Sequence, residues 1–163
     1  MFTDTDSLAY EIKTEDFYAD ISKDVESRFD TSDYPEDCAL PRVNKKVIGM
    51  FKDEAAGKQI EEFVGLRAKL YSYKMHAGAE HKKCKGVKKV VVKKSITHDD
   101  YKECLFSGKE VLREMNVIRS HMHDVYTEKV NKIALSCNDD KRVVMEDKIS
   151  TLPYGHFRVA NIK

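Results

Sequence analysis

The chain has 163 residues, 41% hydrophobic and 35% charged, with seven Gly, three Pro and a formal net charge of +1. This composition lies within or near the globular range rather than the disordered one. No apolar run approaches the ~20 residues that cross a bilayer, so the expectation is an intracellular protein of one domain or a domain remnant, with no membrane partner.

The opening residues lack a basic-then-apolar signal pattern. Cys38, Cys84, Cys104 and Cys137 are scattered without a Cys-x-x-Cys pair, which argues against a zinc knuckle or a disulfide framework. The small net charge hides a polarity along the chain. Residues 1–40 hold 12 acids and 3 bases, residues 41–94 hold 5 acids and 15 bases, and the remainder holds 11 of each. A carboxylate-rich start feeds a basic middle, a polarity compatible with a metal site beside a phosphate-following surface. A solvated charged face is the plainer reading of the same runs.

In chain order, Phe2-Thr3-Asp4-Thr5-Asp6-Ser7-Leu8 comes first. In an extended strand Asp4 and Asp6 point the same way and present two carboxylates side by side. Hard oxygen donors so placed suit Mg²⁺. The same residues also make a good turn, because Asp and Ser bond their own backbone. Residues 7–12 read as a strand with Leu8, Tyr10 and Ile12 on one face. Thr14 is predicted to cap a helix with Glu15 and Asp16 in its first turn. Phe17, Ile21, Val25 and Phe29 then form an apolar stripe at four-residue spacing, on a helix that ends near Arg28. Residues 30–41, with Pro35 and Pro41, read as loop.

Val47-Ile48-Gly49-Met50-Phe51 has strand composition, and residues 60–75 hold a further extended stretch. Over residues 66–73 the alternation places Arg67, Lys69, Tyr71 and Tyr73 on one face, and Leu66, Ala68, Leu70 and Ser72 on the other. Two cations and two phenols suit contacts to phosphate and sugar; the plain alternative is an amphipathic strand with snorkelling cations. Lys82, Lys83, Lys85, Lys88, Lys89, Lys93 and Lys94 surround Gly86 and Val90-Val91-Val92 with no acid among them. A strand inside a basic hairpin is predicted, positioning phosphates without reading bases. A nuclear-localisation patch is the competing interpretation.

Thr97 is predicted to cap a helix with Asp99 and Asp100 in its first turn, running through Tyr101, Cys104 and Leu105. Residues 110–115 read as a second short helix and residues 117–135 as extended. His121 and His123 would share a strand face, yet no third metal ligand is evident. Asp139-Asp140 with Lys141-Arg142 reads as a polar turn.

Several of these segments, in this order, resemble one known family. Residues 2–8 are similar to the Tyr-x-Asp-Thr-Asp-Ser palm motif of family B DNA polymerases, with Phe2 where Tyr is usual. Phe63-Val64-Gly65-Leu66-Arg67-Ala68-Lys69-Leu70-Tyr71 resembles the Lys-x-Tyr segment of the protein-primed branch, and the Lys/Gly stretch at 82–89 follows it. Ser95-Ile96-Thr97-His98-Asp99-Asp100-Tyr101 resembles the entry to the thumb helix. The wording of Glu11-Ile12-Lys13-Thr14-Glu15-Asp16-Phe17-Tyr18 and of Thr151-Leu152-Pro153-Tyr154-Gly155-His156 is most similar to polymerases of Polinton/Maverick virus-like mobile elements. The resemblance covers nearly the whole chain.

What the resemblance implies is an α+β fold. Residues 1–75 would be the truncated end of a polymerase palm, antiparallel strands plus helix, and residues 76–163 a small strand-and-helix thumb. Asp4 and Asp6 would belong to a two-metal Mg²⁺ site for nucleotidyl transfer, Asp6 being the direct bridging ligand. Lys69 and Tyr71 would hold the primer strand, with Arg67, Lys88 and Lys89 on the DNA backbone. The implied partners are primer-template DNA, dNTP and a terminal priming protein. The chain departs from the family in lacking an Asp-x-x-Ser-Leu-Tyr-Pro segment and a Lys-x-x-x-Asn-Ser-x-Tyr-Gly segment. The expectation is therefore a polymerase fragment that is inactive alone; the alternative is a catalytically inactive remnant or a non-specific DNA-binding module.

Overall fold

The computed structural model describes every residue except 5, 77, 139–141, 154–155 and 160–163. It is a mixed α+β structure of small, mostly antiparallel sheets and few helices. The chain divides into two units, Met1–Phe63 with Tyr73–His81, and Val64–Ser72 with Lys82–Lys163. The expected boundary at 75 falls inside the segment Tyr73–His81 of the first unit.

In the first unit, β1 (Phe2–Asp4) and β2 (Ser7–Ala9) pair antiparallel in the register Phe2↔Ala9, Thr3↔Leu8 and Asp4↔Ser7. The strand expected over 7–12 stops at Ala9, and Leu8, Tyr10 and Ile12 are exposed. Asp16, not Thr14, caps the first helix, α1 (Phe17–Ile21), accepting from the amides of Tyr18 and Ala19 at 2.9 and 3.1 Å. Thr14 donates its hydroxyl to Asp20 instead. The single helix expected to reach Arg28 is two. Ser22 Oγ takes the carbonyl of Ala19 at 2.7 Å and Asp24 N takes that of Ile21 at 2.9 Å, a tightened turn that ends α1 before α2 (Val25–Arg28) begins. Ile21 and Val25 still meet in one core, with Tyr34 and Leu40.

β3 (Phe29–Asp30) pairs parallel with β4 (Phe51–Lys52). Of the strand expected over 47–51, only Phe51 is in a sheet; Ile48 is 99% exposed. The chain is folded here by polar side chains. Buried Asp30 accepts from the amides of Ser32 at 3.0 Å and Lys46 at 3.1 Å. Asn44 Nδ2 reaches the carbonyls of Val25, Glu26 and Phe29 at 3.2, 2.9 and 2.9 Å, satisfying acceptors that the end of a helix leaves open.

β5 (Ile60–Arg67), β6 (Leu70–Met75) and β7 (Glu80–Cys84) form a sheet in the order β5-β6-β7. The single strand expected over 66–73 is broken at Ala68 and Lys69, the latter at φ +62°. Arg67 therefore ends one strand, Tyr71 and Tyr73 lie on the next, and Lys69 is in the turn between them. β6 is the central strand and is buried from Leu70 through Tyr73. Its polar and apolar residues do not sort to opposite faces because both faces are covered.

The second unit adds α3 (Lys89–Ser95) and α4 (His98–Ser107). Val90-Val91-Val92, expected as a strand, is helical: at i,i+4 spacing Val92 and Ile96 both enter the core while Val90 stays 63% exposed. The capping box at Thr97 is present, with Thr97 Oγ1 accepting from Asp100 N at 3.2 Å and Asp100 Oδ2 accepting from Thr97 N at 2.7 Å.

β8 (Val111–His121) and β9 (Asp124–Leu135) form a long antiparallel ribbon. The extended reading of 117–135 holds, whereas the helix expected over 110–115 is strand. Met122 and His123, both at positive φ, make the two-residue turn, so His121 and His123 do not share a strand face. β10 (Arg142–Val144) and β11 (Thr151–Pro153) form a last small pair. Of the polar turn expected at Asp139-Asp140-Lys141-Arg142, residues 139–141 lie outside the described residues, and Arg142 opens β10. Leu70, Ile96, Tyr101 and Leu135 centre the core of this unit, each at most 2% exposed. Among the described residues no helix is long and apolar enough to cross a membrane.

Candidate metal-binding turn and basic surface

Asp4 closes β1, and its carbonyl holds the turn, accepting from Asp6 N at 2.8 Å and from Ser7 Oγ at 3.3 Å. This is the turn reading of the motif, and the two carboxylates do not share a strand face. Asp4 stands at a strand end, half-buried, and Asp6 in the turn is exposed. Asp4 Oδ1 is shielded from solvent and has no hydrogen-bond partner among the described residues. A buried carboxylate oxygen left unpaired costs free energy unless something binds it.

That oxygen is a hard donor of the type Mg²⁺ takes, and two carboxylates suffice where water and substrate phosphate complete the shell. Among the described residues no group of three or more His, Cys, Asp or Glu is placed to hold a metal ion. Asp4 and Asp6 are the two carboxylates of this turn, one half-buried with an unpartnered oxygen and one exposed.

The turn is braced by rings that sequence reasoning did not single out for this role. Phe2 lies 5.1 Å from Phe63, Phe63 is 6.5 Å from Tyr73, and Tyr73 stacks on His81 at 4.8 Å. The ladder fastens β1 to residues of β5, β6 and β7 within the first unit. Tyr73, expected beside the cations on a DNA-facing surface, is a core ring at 5% exposure. Nothing local in the sequence pairs Phe2 with Phe63, about sixty positions on.

The cations predicted to follow DNA lie in the second unit. Arg67 is half-buried and donates to the carbonyl of Asn138 at 2.9 Å. Lys69, Lys88 and Lys89 are exposed; Lys69 is held through its carbonyl, which accepts from Lys85 N at 3.0 Å. Tyr71 is 5% exposed in β6, so it seats the strand behind the Lys69 turn and does not stand beside Lys69 on a surface.

Burial also sets the acid–base character beneath this surface. It pushes the Cys84 thiol up to about 11, against the hydrogen bond with Tyr101 and the charges of Arg67 and Lys132, which lower it. Burial likewise raises the Tyr101 phenol, which donates to the carbonyl of Lys83 at 2.8 Å. These groups stay protonated and structural at neutral pH. No protein-family model, curated protein or solved structure matches the chain.

Proposed function

We propose that this chain supplies the metal-binding palm turn and the DNA-holding surface of a protein-primed family B DNA polymerase, of the Polinton/Maverick kind. The observation that carries the reading is the Asp4–Ser7 turn, which exposes Asp6 and leaves Asp4 Oδ1 without a hydrogen-bond partner among the described residues. Mg²⁺, when bound, would stabilise the attacking and leaving oxygens of nucleotidyl transfer. Asp4 and Asp6 hold that charge at the turn, and the aromatic ladder keeps the turn in place. Lys69, Arg67, Lys88 and Lys89 neutralise backbone phosphates of primer-template DNA, and Tyr71 acts from beneath by seating the strand. In this reading residues 1–75 are palm and 76–163 thumb, dNTP and a terminal priming protein are the further partners, and the lysine run would serve equally as a nuclear address.

A second reading, a non-catalytic nucleic-acid-binding module, rests on the basic surface of the second unit and needs no metal. Mn²⁺ binding by the purified chain, followed by electron paramagnetic resonance, separates the two. Saturable binding abolished by combined Asp4→Asn and Asp6→Asn is expected, and equal binding by that variant would overturn the metal site. The chain alone is expected not to extend a primer, because this pair lacks an opposing carboxylate and a nucleotide-gripping lysine. Template-dependent dNTP incorporation lost on Asp6→Ala would contradict that.

A further inference from the structure

Three segments distant in sequence meet around the carbonyl of Gly86. The turn at Ala68 and Lys69 is joined to the turn at Lys85 and Gly86 by the bond from Lys85 N to the Lys69 carbonyl, at 3.0 Å. From β9, Lys132 Nζ donates to the Gly86 carbonyl at 3.2 Å. The approach is close enough that a Cβ added at Gly86, already at φ +87°, would lie 2.8 Å from that Nζ. An L side chain would therefore be strained in its backbone, while the Lys132 ammonium at the end of its flexible side chain could move aside.

The electrostatics of the cluster are lopsided. Lys69, Lys85, Lys88, Lys89 and Lys132 are exposed, and none has an ion pair among the described residues. Lys132 stands directly opposite Arg113 in the ribbon, a like-charge pairing that disfavours the fold. Arg113 is answered by Asp100 at 3.3 Å and by the Ser95 carbonyl at 2.8 Å. Among the described residues Lys132 is not answered by a carboxylate. Its ammonium has three donors, and the bond to Gly86 leaves two directed elsewhere. Among the described residues these five lysines have no carboxylate partner, and an anion with several spaced charges lowers the mutual repulsion of those it binds.

We propose that Lys69, Lys85 and Lys132 form one composite site for the phosphodiester backbone of a nucleic-acid strand, built around the Gly86 carbonyl and continuous with Lys88 and Lys89. The inference rests on the nucleic-acid-binding part of the function proposed above and adds Lys85 and Lys132 to it. Contacts are to phosphate and carry no base information, so binding is sequence-independent and strongly salt-dependent.

The test is fluorescence anisotropy of a mixed-sequence oligonucleotide with the full chain, titrated over a series of NaCl concentrations. Lys132→Gln and Lys85→Gln should each weaken binding and flatten the dependence of log affinity on log salt by about 0.7 to 0.9. Lys132→Arg should retain the slope, since it keeps the charge. Lys129→Gln, on the opposite ribbon face and paired with Glu114, should leave the slope unchanged. Lys85 joins the turn through its backbone amide, so a flattened slope in Lys85→Gln reports charge and not a loosened turn. An unchanged slope in both Lys132→Gln and Lys85→Gln, with a reduced one in Lys88→Gln/Lys89→Gln, would overturn the composite site and leave the wider reading standing. Failure of the unaltered chain to bind at low salt, or binding to anionic phospholipid vesicles alone, would overturn both.

Discussion

Among the largest fully buried side chains, Val25 and Thr31 belong to the first unit, whereas Tyr101, Leu70, Ile96 and Leu135 belong to the second. The first unit makes up for its small core with side chains bonded to backbone: Asp30 to Ser32 and Lys46, Thr31 to Pro41 and Val43, and Asn44 to three carbonyls. The second closes on a tyrosine, a helix and a ribbon base. Net gains of about 0.5–1.5 kcal/mol per hydrogen bond depend on geometry and solvent, whereas apolar burial scales with area and resists changes of pH. The acidic turn thus sits in the unit whose fold depends on polar contacts, and the basic surface on the unit with the larger apolar core. Local opening of the first unit is expected to precede that of the second.

The largest effect expected from this contrast is Tyr101→Ala. Emptying a site that is 0% exposed should cost about 3–5 kcal/mol, measured by urea denaturation. Tyr101→Phe keeps the ring and should cost only about 1 kcal/mol, for the bond to Lys83. A smaller loss for Tyr101→Ala than for any polar variant of the first unit would break the comparison.

Asn44→Ala comes next. It strips three carbonyls of a donor and places Ala at φ +60°, so a loss of about 1–3 kcal/mol is expected. Hydrogen exchange should register it at Val25 and Phe29 and leave the amides of α4 protected. Uniform loss of protection would mean that the two units open together.

Thr97→Ala removes one half of the capping box and should cost about 1 kcal/mol. Circular dichroism on thermal melting reads the loss, and Thr97→Ser should recover most of it.

The last effect is read along the pH axis and concerns Asp30. Hydrogen bonds from Ser32, then from Lys46, and the charge of Lys52 hold its carboxyl at about 2, below the ordinary 3.8. The unfolded chain takes up this proton first as pH falls. Asp30 therefore contributes its full stability above about pH 4, and the contribution disappears as pH approaches about 2. Asp30→Asn should flatten that limb of an acid titration of the first unit; an unchanged limb would place the acid sensitivity elsewhere.

Where local chemistry suffices, the fold was legible. Thr97 and Asp100 satisfy each other within four residues, so the α4 start could be read directly. Ile21 and Val25 kept their common core face although the helix broke between them, because i,i+4 spacing survives one tightened turn. The motif at Asp4 admitted both a strand and a turn; a carbonyl accepting two bonds from within the next three residues decided for the turn. Val90-Val91-Val92 misled because β-branched residues favour strands only by a propensity that packing overrides, here the docking of Val92 and Ile96. At Lys69 a left-handed residue split one apparent face into two strands and sent Tyr71 inward.

The sequence by itself determined the charge polarity and the Thr97 cap, which depend on residues a few positions away or on composition alone. Only the tertiary structure decided that Phe2 leans on Phe63, that Asn44 closes α2, and that Lys132 reaches Gly86. Each of these joins residues whose separation along the chain leaves no local trace, and the free energy that selects them comes from burying surfaces that exist only once the units have folded.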